Sequence, residues 1–296
     1  MDAAMHRLYL THGPRVEIVD TDTGKVAGSV TDLKGTHGVA VDNDGKYAYI
    51  SDGGANAVVV IDRKTYAKVK SIPTGGNPDG IFFEPVTKTV WAFNGRTNDA
   101  TVIDTGKMDV AATIKLSGKP EFPAVDGKGN IFVNIETKNS LVKLDAKTMK
   151  VVAEWPLAGC ESPSGLVMDA EHARLFSVCD GKMMVVTDAK TGKQLGTAKI
   201  GDGPDAAGFD AKNQVAFASN GDGTLSVVSA KGNEYKVVQS LPTQKGARTM
   251  AFDPNNGKVY LLAAKYGPAP AATAATPRPR PAVLPGSYGV IVVGRK

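Results

Sequence analysis

The chain has 296 residues, 42% hydrophobic and 22% charged, with 33 glycines, two cysteines and a formal net charge of +5. No run of 18 apolar residues occurs, which excludes a helical membrane span, and no basic cluster is interleaved with stacking aromatics, so the footprint of a nucleic-acid reader is missing. The lysines are instead dispersed through turns, an ordinary way of blunting exposed strands.

In chain order, the first six residues carry no apolar core and are not a signal peptide. Arg7–Leu10 and Val16–Asp20 then read as short strands. The next unit, 36–76, is complete. Gly38–Asp42 is a short apolar run, and a turn at Asn43–Gly45 leads into the β-rich run Tyr47–Ser51. Asp52–Gly54 ends that run, Ala57–Asp62 follows, and another turn leads into Ala67–Ile72. Short apolar runs punctuated by Gly, Asn and Asp are a β-meander, and no stretch holds a 3.6-residue period for three turns.

The unit returns along the chain. Asp42, Glu84, Asp126, Asp169, Asp210 and Asp253 recur every 41–43 residues, and Asp20, Asp62, Asp104, Asp145, Asp188 and Ser229 keep the same period. Two markers with one period mean a repeat architecture, and a four-stranded antiparallel unit of this length is a propeller blade. Such a blade is apolar on both faces and needs neighbours on both sides, which favours a closed ring. Its second and third strands occur seven times, ending with Val259–Leu262 and Gly289–Val293. The chain is therefore predicted to be all-β, a single seven-bladed β-propeller of four-stranded antiparallel blades. The blades fall near 1–35, 36–76, 77–119, 120–162, 163–203, 204–246 and 247–296, with a Pro-rich insert at 266–287. Asp2 aligns with Asp42 as the end of a first strand that nothing precedes, and no fourth strand follows Val293. The expectation is that closing strands are missing at the N-terminus, where about 30 upstream residues would complete the ring. The alternative is two three-stranded blades with exposed edges.

Tyr49–Asp62 followed by Thr65–Val69 resembles the YVTN repeat, and Asn77–Ile81 and Gly203–Asp205 resemble that family's inter-blade turn. The likeness spans the chain, and within the family it is similar to bacterial YncE-type propellers. That resemblance implies export to the periplasm or cell surface. It names no single activity, since relatives include binding scaffolds, surface-layer proteins and, more distantly, lactonases. The repeat carries fold, not chemistry.

In a propeller the first strand lines the central tunnel, and the loops entering it share one face with those linking strands two and three. Five residues before each marker acid lie His37, Asp79, Glu121, Ser164, Asp205 and Arg248. Ten residues after each lie His12, Asp52, Asn94, Glu136, Cys179, Asn220 and Ala263. An architectural position tends to repeat one residue type, whereas these two rings are mixed. They are predicted to form a polar tunnel mouth with His12, His37, Asp79, Asn94, Arg96, Glu121, Asn134, Glu136, Asp205, Asn220 and Arg248 as ligand-binding candidates. Asp79, Glu121, Glu136 and Asp205 suit Ca²⁺ or Mg²⁺, and His12 and His37 add a transition-metal option. Glu121, Glu136, His37 and Asp205 are the candidates for acid–base catalysis. The competing reading of each Asp or Asn is a turn cap.

Cys160 and Cys179 are expected on the same face of the fifth blade. A disulfide there fits an oxidising compartment; the alternatives are two free thiols or a soft-metal pair. No Cys-x-x-Cys-His, Gly-x-Ser-x-Gly, phosphate-loop or zinc-spaced motif is present. The insert is expected to be stiff and extended, either a lid presenting Arg278 or Arg280 to an anionic ligand or a solvated loop. Trp91 and Trp155 read as packing residues and His172 as surface. The leading function is an exported, monomeric module binding a small molecule or a protein through the top face. The rival is a cation-assisted hydrolase of a lactone or related ester, and a third reading is an accessory subunit of a periplasmic oxidoreductase.

Overall fold

A computed structural model describes residues 1–42, 45–271, 273 and 281–295. The carboxylates that mark the repeat are turn caps. Asp62 Oδ1 accepts the N–H groups of Lys64 and Thr65, Glu84 those of Val86 and Thr87, Asp126 those of Lys128 and Asn130, and Asp188 those of Lys190 and Thr191. One short acid satisfies the backbone donors of a tight turn, so each hairpin is fixed locally.

The hairpins assemble into seven antiparallel sheets. The first holds β1 (Arg7–His12), β2 (Arg15–Asp20) and β3 (Val26–Val30). The second holds β4 (Thr36–Val41), β5 (Tyr47–Asp52), β6 (Ala57–Asp62) and β7 (Lys68–Pro73), and the third β8 (Pro78–Glu84), β9 (Thr89–Asn94), β10 (Asp99–Asp104) and β11 (Asp109–Lys115). The fourth holds β12 (Pro120–Val125), β13 (Asn130–Ile135), β14 (Ser140–Asp145) and β15 (Lys150–Pro156), and the fifth β16 (Pro163–Asp169), β17 (Arg174–Cys179), β18 (Met183–Asp188) and β19 (Gln194–Lys199). The sixth holds β20 (Pro204–Asp210), β21 (Val215–Asn220), β22 (Thr224–Ser229) and β23 (Lys236–Pro242), and the seventh β24 (Met250–Asp253), β25 (Lys258–Ala263) and β26 (Gly289–Val293). Helix is confined to two single 3₁₀ turns, Gly53–Ala55 and Glu136–Lys138, among the described residues. The chain is a seven-bladed β-propeller. Five blades have four strands; the first begins at the position that is second elsewhere, and the last ends at the third.

Six apolar clusters lie between sheets and join each blade to the next, from the first to the seventh. Trp91 is fully buried with its indole N–H on Thr89 Oγ1, 2.9 Å away, and Trp155 stacks on Phe132, so both tryptophans pack blades as expected. His172 is half-exposed on Asp169. A buried ion pair joins Arg63 to Asp2, with Arg63 Nε 2.8 Å from Asp2 Oδ2 and Nη1 3.0 Å from the Asp42 carbonyl.

Glycines let the inner strands converge. A Cβ on Gly38 would lie 3.0 Å from the Asp79 carbonyl oxygen, one on Gly80 2.7 Å from that of Glu121, and one on Gly165 2.7 Å from that of Asp205. Only a residue without a side chain tolerates that approach at the axis. Each of these glycines follows a residue of the first predicted ring, and so brings that ring together.

Candidate functional site

The inner strands of the third, fifth and seventh blades are clamped by the blade before them. Ser51 Oγ donates to the Asp79 carbonyl at 2.7 Å, Asn134 Nδ2 donates to the carbonyls of Ser164 and Gly165, and Ser219 Oγ donates to the Arg248 carbonyl. Backbone positions held this way present their side chains to the axis with little freedom.

The result is a cavity of about 790 Å³ at the axis. All six residues of the first predicted ring, His37, Asp79, Glu121, Ser164, Asp205 and Arg248, line it, one from each of six blades. The second ring divides. His12, Glu136 and Ala263 line the cavity, whereas Asp52, Asn94, Cys179 and Asn220 do not. Asp52 caps the N–H groups of Lys34 and Gly35. Asn94 is fully buried and donates to Asp99 and Thr101, and Asn220 is fully buried and donates to Thr224 and Ser226. Asn134 is the fully buried clamp described above, with its carbonyl accepting Ser177 Oγ. Arg96 is exposed on its loop and also off the cavity. These four ligand-binding candidates thus lie outside the cavity lining.

The cavity is acidic. Asp79, Glu121, Glu136, Asp180 and Asp205 face two permanent cations, Lys119 and Arg248, within a chain of net charge +5. Lys119 Nζ lies 2.6 Å from Glu121 Oε1 and 2.5 Å from Glu136 Oε2. Burial opposes the lysine's charge, but the bonds to the two glutamates win and push its pKa up. Burial pushes Glu121 up to about 7; Lys119 opposes this, and Asp79 and Glu136 reinforce it. Asp180 is also raised, by burial and then by Glu136. Across the ring His37 Nδ1 is 3.6 Å from Asp79 Oδ1, and Arg248 Nε is 3.7 Å from Asp205 Oδ2. Among the described residues no group of three or more His, Cys, Asp or Glu side chains is arranged to hold a metal ion. The ammonium of Lys119 occupies the point on which Glu121 and Glu136 converge.

Two aromatic residues complete the wall. Tyr266 and Tyr288, at the ends of the Pro-rich insert, both line the cavity, and Tyr288 packs on His12 with ring centroids 4.3 Å apart. Burial lowers the His12 pKa, and its Nε2 has no hydrogen-bond partner. Arg278 and Arg280 lie outside the described residues. The sequence reading missed Lys119, Asp180, Tyr266 and Tyr288. Lys119 had a findable signal: seven residues before the marker acids stand Gly35, Asn77, Lys119, Ser162, Gly203 and Gly246, and only the third is charged.

Cys160 and Cys179 are joined in a disulfide with both residues buried, and no helix is long and apolar enough to cross a membrane among the described residues. No family model and no curated protein matches the chain. Its fold is shared with solved structures. A chain from the hydrazine synthase of Kuenenia stuttgartiensis is similar over 100% of this chain and 94% of its own, with a TM-score of 0.81 and 19% identity. A chain from the mitotic checkpoint complex is similar over 87% of this chain and 81% of its own, with a TM-score of 0.78 and 12% identity. At these identities the likeness is one of fold.

Proposed function

We propose that this propeller is a binding module whose top-face mouth takes a positively charged ligand, either an organic ammonium or the cationic side chain of a partner. The observation that carries this reading is the convergence of one equivalent position from six blades on a single cavity with five carboxylates against two permanent cations. A carboxylate such as Glu121, which burial brings to hold a proton near neutrality, gains from a cation that replaces it. Tyr266 and Tyr288 add ring faces of the kind that attract ammonium groups. A divalent ion, Ca²⁺ or Mg²⁺, is the second form of the same reading and requires Lys119 to leave its two glutamates.

The repeat residues support membership of the YVTN-type propellers, and the buried disulfide supports an oxidising, exported setting. The test is calorimetric titration of spermidine, and separately of calcium chloride, into the protein at low ionic strength. Saturable heat from spermidine supports an organic cation, and from calcium alone the divalent form; none from either overturns the reading. The rival hydrolase, with Glu121 as proton donor or acceptor, is tested by lactone turnover with and without chelator on wild type and Glu121→Gln. Turnover lost in the variant would favour it over the binding module.

A further inference from the structure

The outermost strands of the first six blades, β3, β7, β11, β15, β19 and β23, share an irregularity. In each, a bulge near the start of the strand leaves one residue without a partner. Val69 in β7 sits between Lys68, opposite Ile61, and Lys70, opposite Val60, and Ala27, Ala111, Val152, Leu195 and Val238 take the same place in the other five. A bulge re-aims side chains. Here Val26, Val69, Val110, Val152, Leu195 and Val238, each at the bulge or one residue before it, are all exposed. At the far end of the same strands Val30, Ile72, Ile114 and Ala198 are buried. The apolar fringe is thus confined to one margin of the ring, beside the face opposite the loops of Lys119, Glu136 and Tyr288.

That face is lined with lysines. The turns leading into the outermost strands carry exposed Lys25, Lys64, Lys107, Lys147, Lys190 and Lys231, one in each of the six blades, and the turns between first and second strands add Lys128, Lys212 and Lys258. The neighbouring carboxylates are taken up by the backbone. Asp62, Asp145 and Asp188 each accept the N–H and the hydroxyl of the threonine three residues on. Glu84, Asp169, Asp210 and Asp253 are buried. Among the described residues the exposed acids of this face are Asp22, Asp109, Glu171 and Glu234, with Asp22 paired to His6 and Glu234 to Lys236. Lysine and aliphatic stand side by side in the chain, as in Lys25-Val26, Lys68-Val69, Lys150-Val151 and Lys236-Val237.

We propose that this face docks on an anionic lipid bilayer. Lysines at hairpin tips around a ring form a planar array of positive charge, which matches a flat layer of anionic headgroups, and each ammonium near such a surface adds to the attraction. The aliphatic fringe decides between a bilayer and a soluble polyanion. Exposed valines beside lysines gain by entering the boundary between headgroups and acyl chains while the ammonium groups stay among the headgroups. A nucleic acid or a sulfated chain offers those valines nothing. The surface goes beyond the cation reading, since none of the six turn lysines and none of the six fringe residues lines the axial cavity.

The test is cosedimentation with vesicles of phosphatidylcholine alone and of phosphatidylcholine with one-third phosphatidylglycerol, at low and at molar salt, with retention on heparin measured in parallel. Wild type is expected to bind the anionic vesicles at least tenfold better than the neutral ones, and to lose that binding in molar salt. Lys64→Glu/Lys147→Glu/Lys190→Glu should bind them at least tenfold more weakly, while Lys34→Glu/Arg96→Glu/Lys138→Glu, on the opposite face, stays within twofold. Val69→Ser/Val152→Ser/Val238→Ser should weaken vesicle binding at least fivefold and leave heparin retention unchanged. Melting temperatures within a few degrees of wild type show that the variants are folded. No preference for anionic vesicles in wild type, equal losses in the two charge-reversal variants, or vesicle binding untouched by the serine variant overturns the proposal. The lysine variant should keep its spermidine affinity within twofold, so the two surfaces are tested apart.

Discussion

Asp79 Oδ1 lies 3.6 Å from Nδ1 of His37, and the two residues hold the same place in consecutive blades. Forty-two residues of chain separate them, and the ring geometry makes them neighbours. Asp205 and Arg248 stand in the same relationship, 3.7 Å apart, and equivalent positions of successive blades line one cavity.

Cation binding should tighten as pH rises from 6 to 8. Glu121, raised to about 7 first by burial, ionises across that interval, and a cation prefers the ionised carboxylate. Spermidine titrations at three pH values check the slope; a flat or falling affinity would contradict the role given to Glu121.

Glu121 also bears on stability. Its value rises from 4.5 in the unfolded chain to about 7 here, so between those pH values the folded chain binds more protons and its stability falls as pH rises. Glu121→Gln removes that penalty. The variant should match wild type near pH 5 and gain on the order of 1 kcal/mol by pH 8 in urea denaturation.

The Arg63–Asp2 pair is buried, with the side chains 3% and 2% exposed. Arg63→Ala leaves a carboxylate without its partner in a dry place, and should cost about 3–5 kcal/mol. Denaturant midpoints with an unchanged slope check it.

The Cys160–Cys179 bridge spans 19 residues of sequence. Its removal in the Cys160→Ser/Cys179→Ser pair should cost about 3 kcal/mol, and a reducing agent should weaken wild type alike. An unchanged midpoint on reduction would show that the bridge constrains nothing in the unfolded chain.

Asn134→Ala separates architecture from binding. The variant loses a buried clamp on the Ser164 and Gly165 carbonyls and should cost about 1–3 kcal/mol. Spermidine affinity of the folded fraction should stay within twofold, because Asn134 does not line the cavity.

The fold was legible because its cause is local. An acid that caps a turn, such as Asp62 or Asp188, must stand at a fixed place in each hairpin, so period and strand order could be read directly. The placing of the first ring was legible for the same reason: five residues before each marker is a place on or beside the inner strand, and all six residues line one cavity. The second ring was read less well. At the ends of β9 and β21 the local partners Asp99, Thr101, Thr224 and Ser226 draw Asn94 and Asn220 into their own blades, whereas Glu136 finds Lys119 in the mouth. Position alone does not say which partner wins. Tyr266 and Tyr288 were hidden because an insert has no counterpart in other blades to align with.

The most direct measurement is the titration of spermidine at pH 8 and low salt into wild type and the Asp79→Asn/Asp205→Asn variant, each with its melting temperature. If ring residues from separate blades form one cationic-ligand site, the variant binds at least tenfold more weakly while melting within a few degrees of wild type. Equal affinity in the two proteins would contradict it.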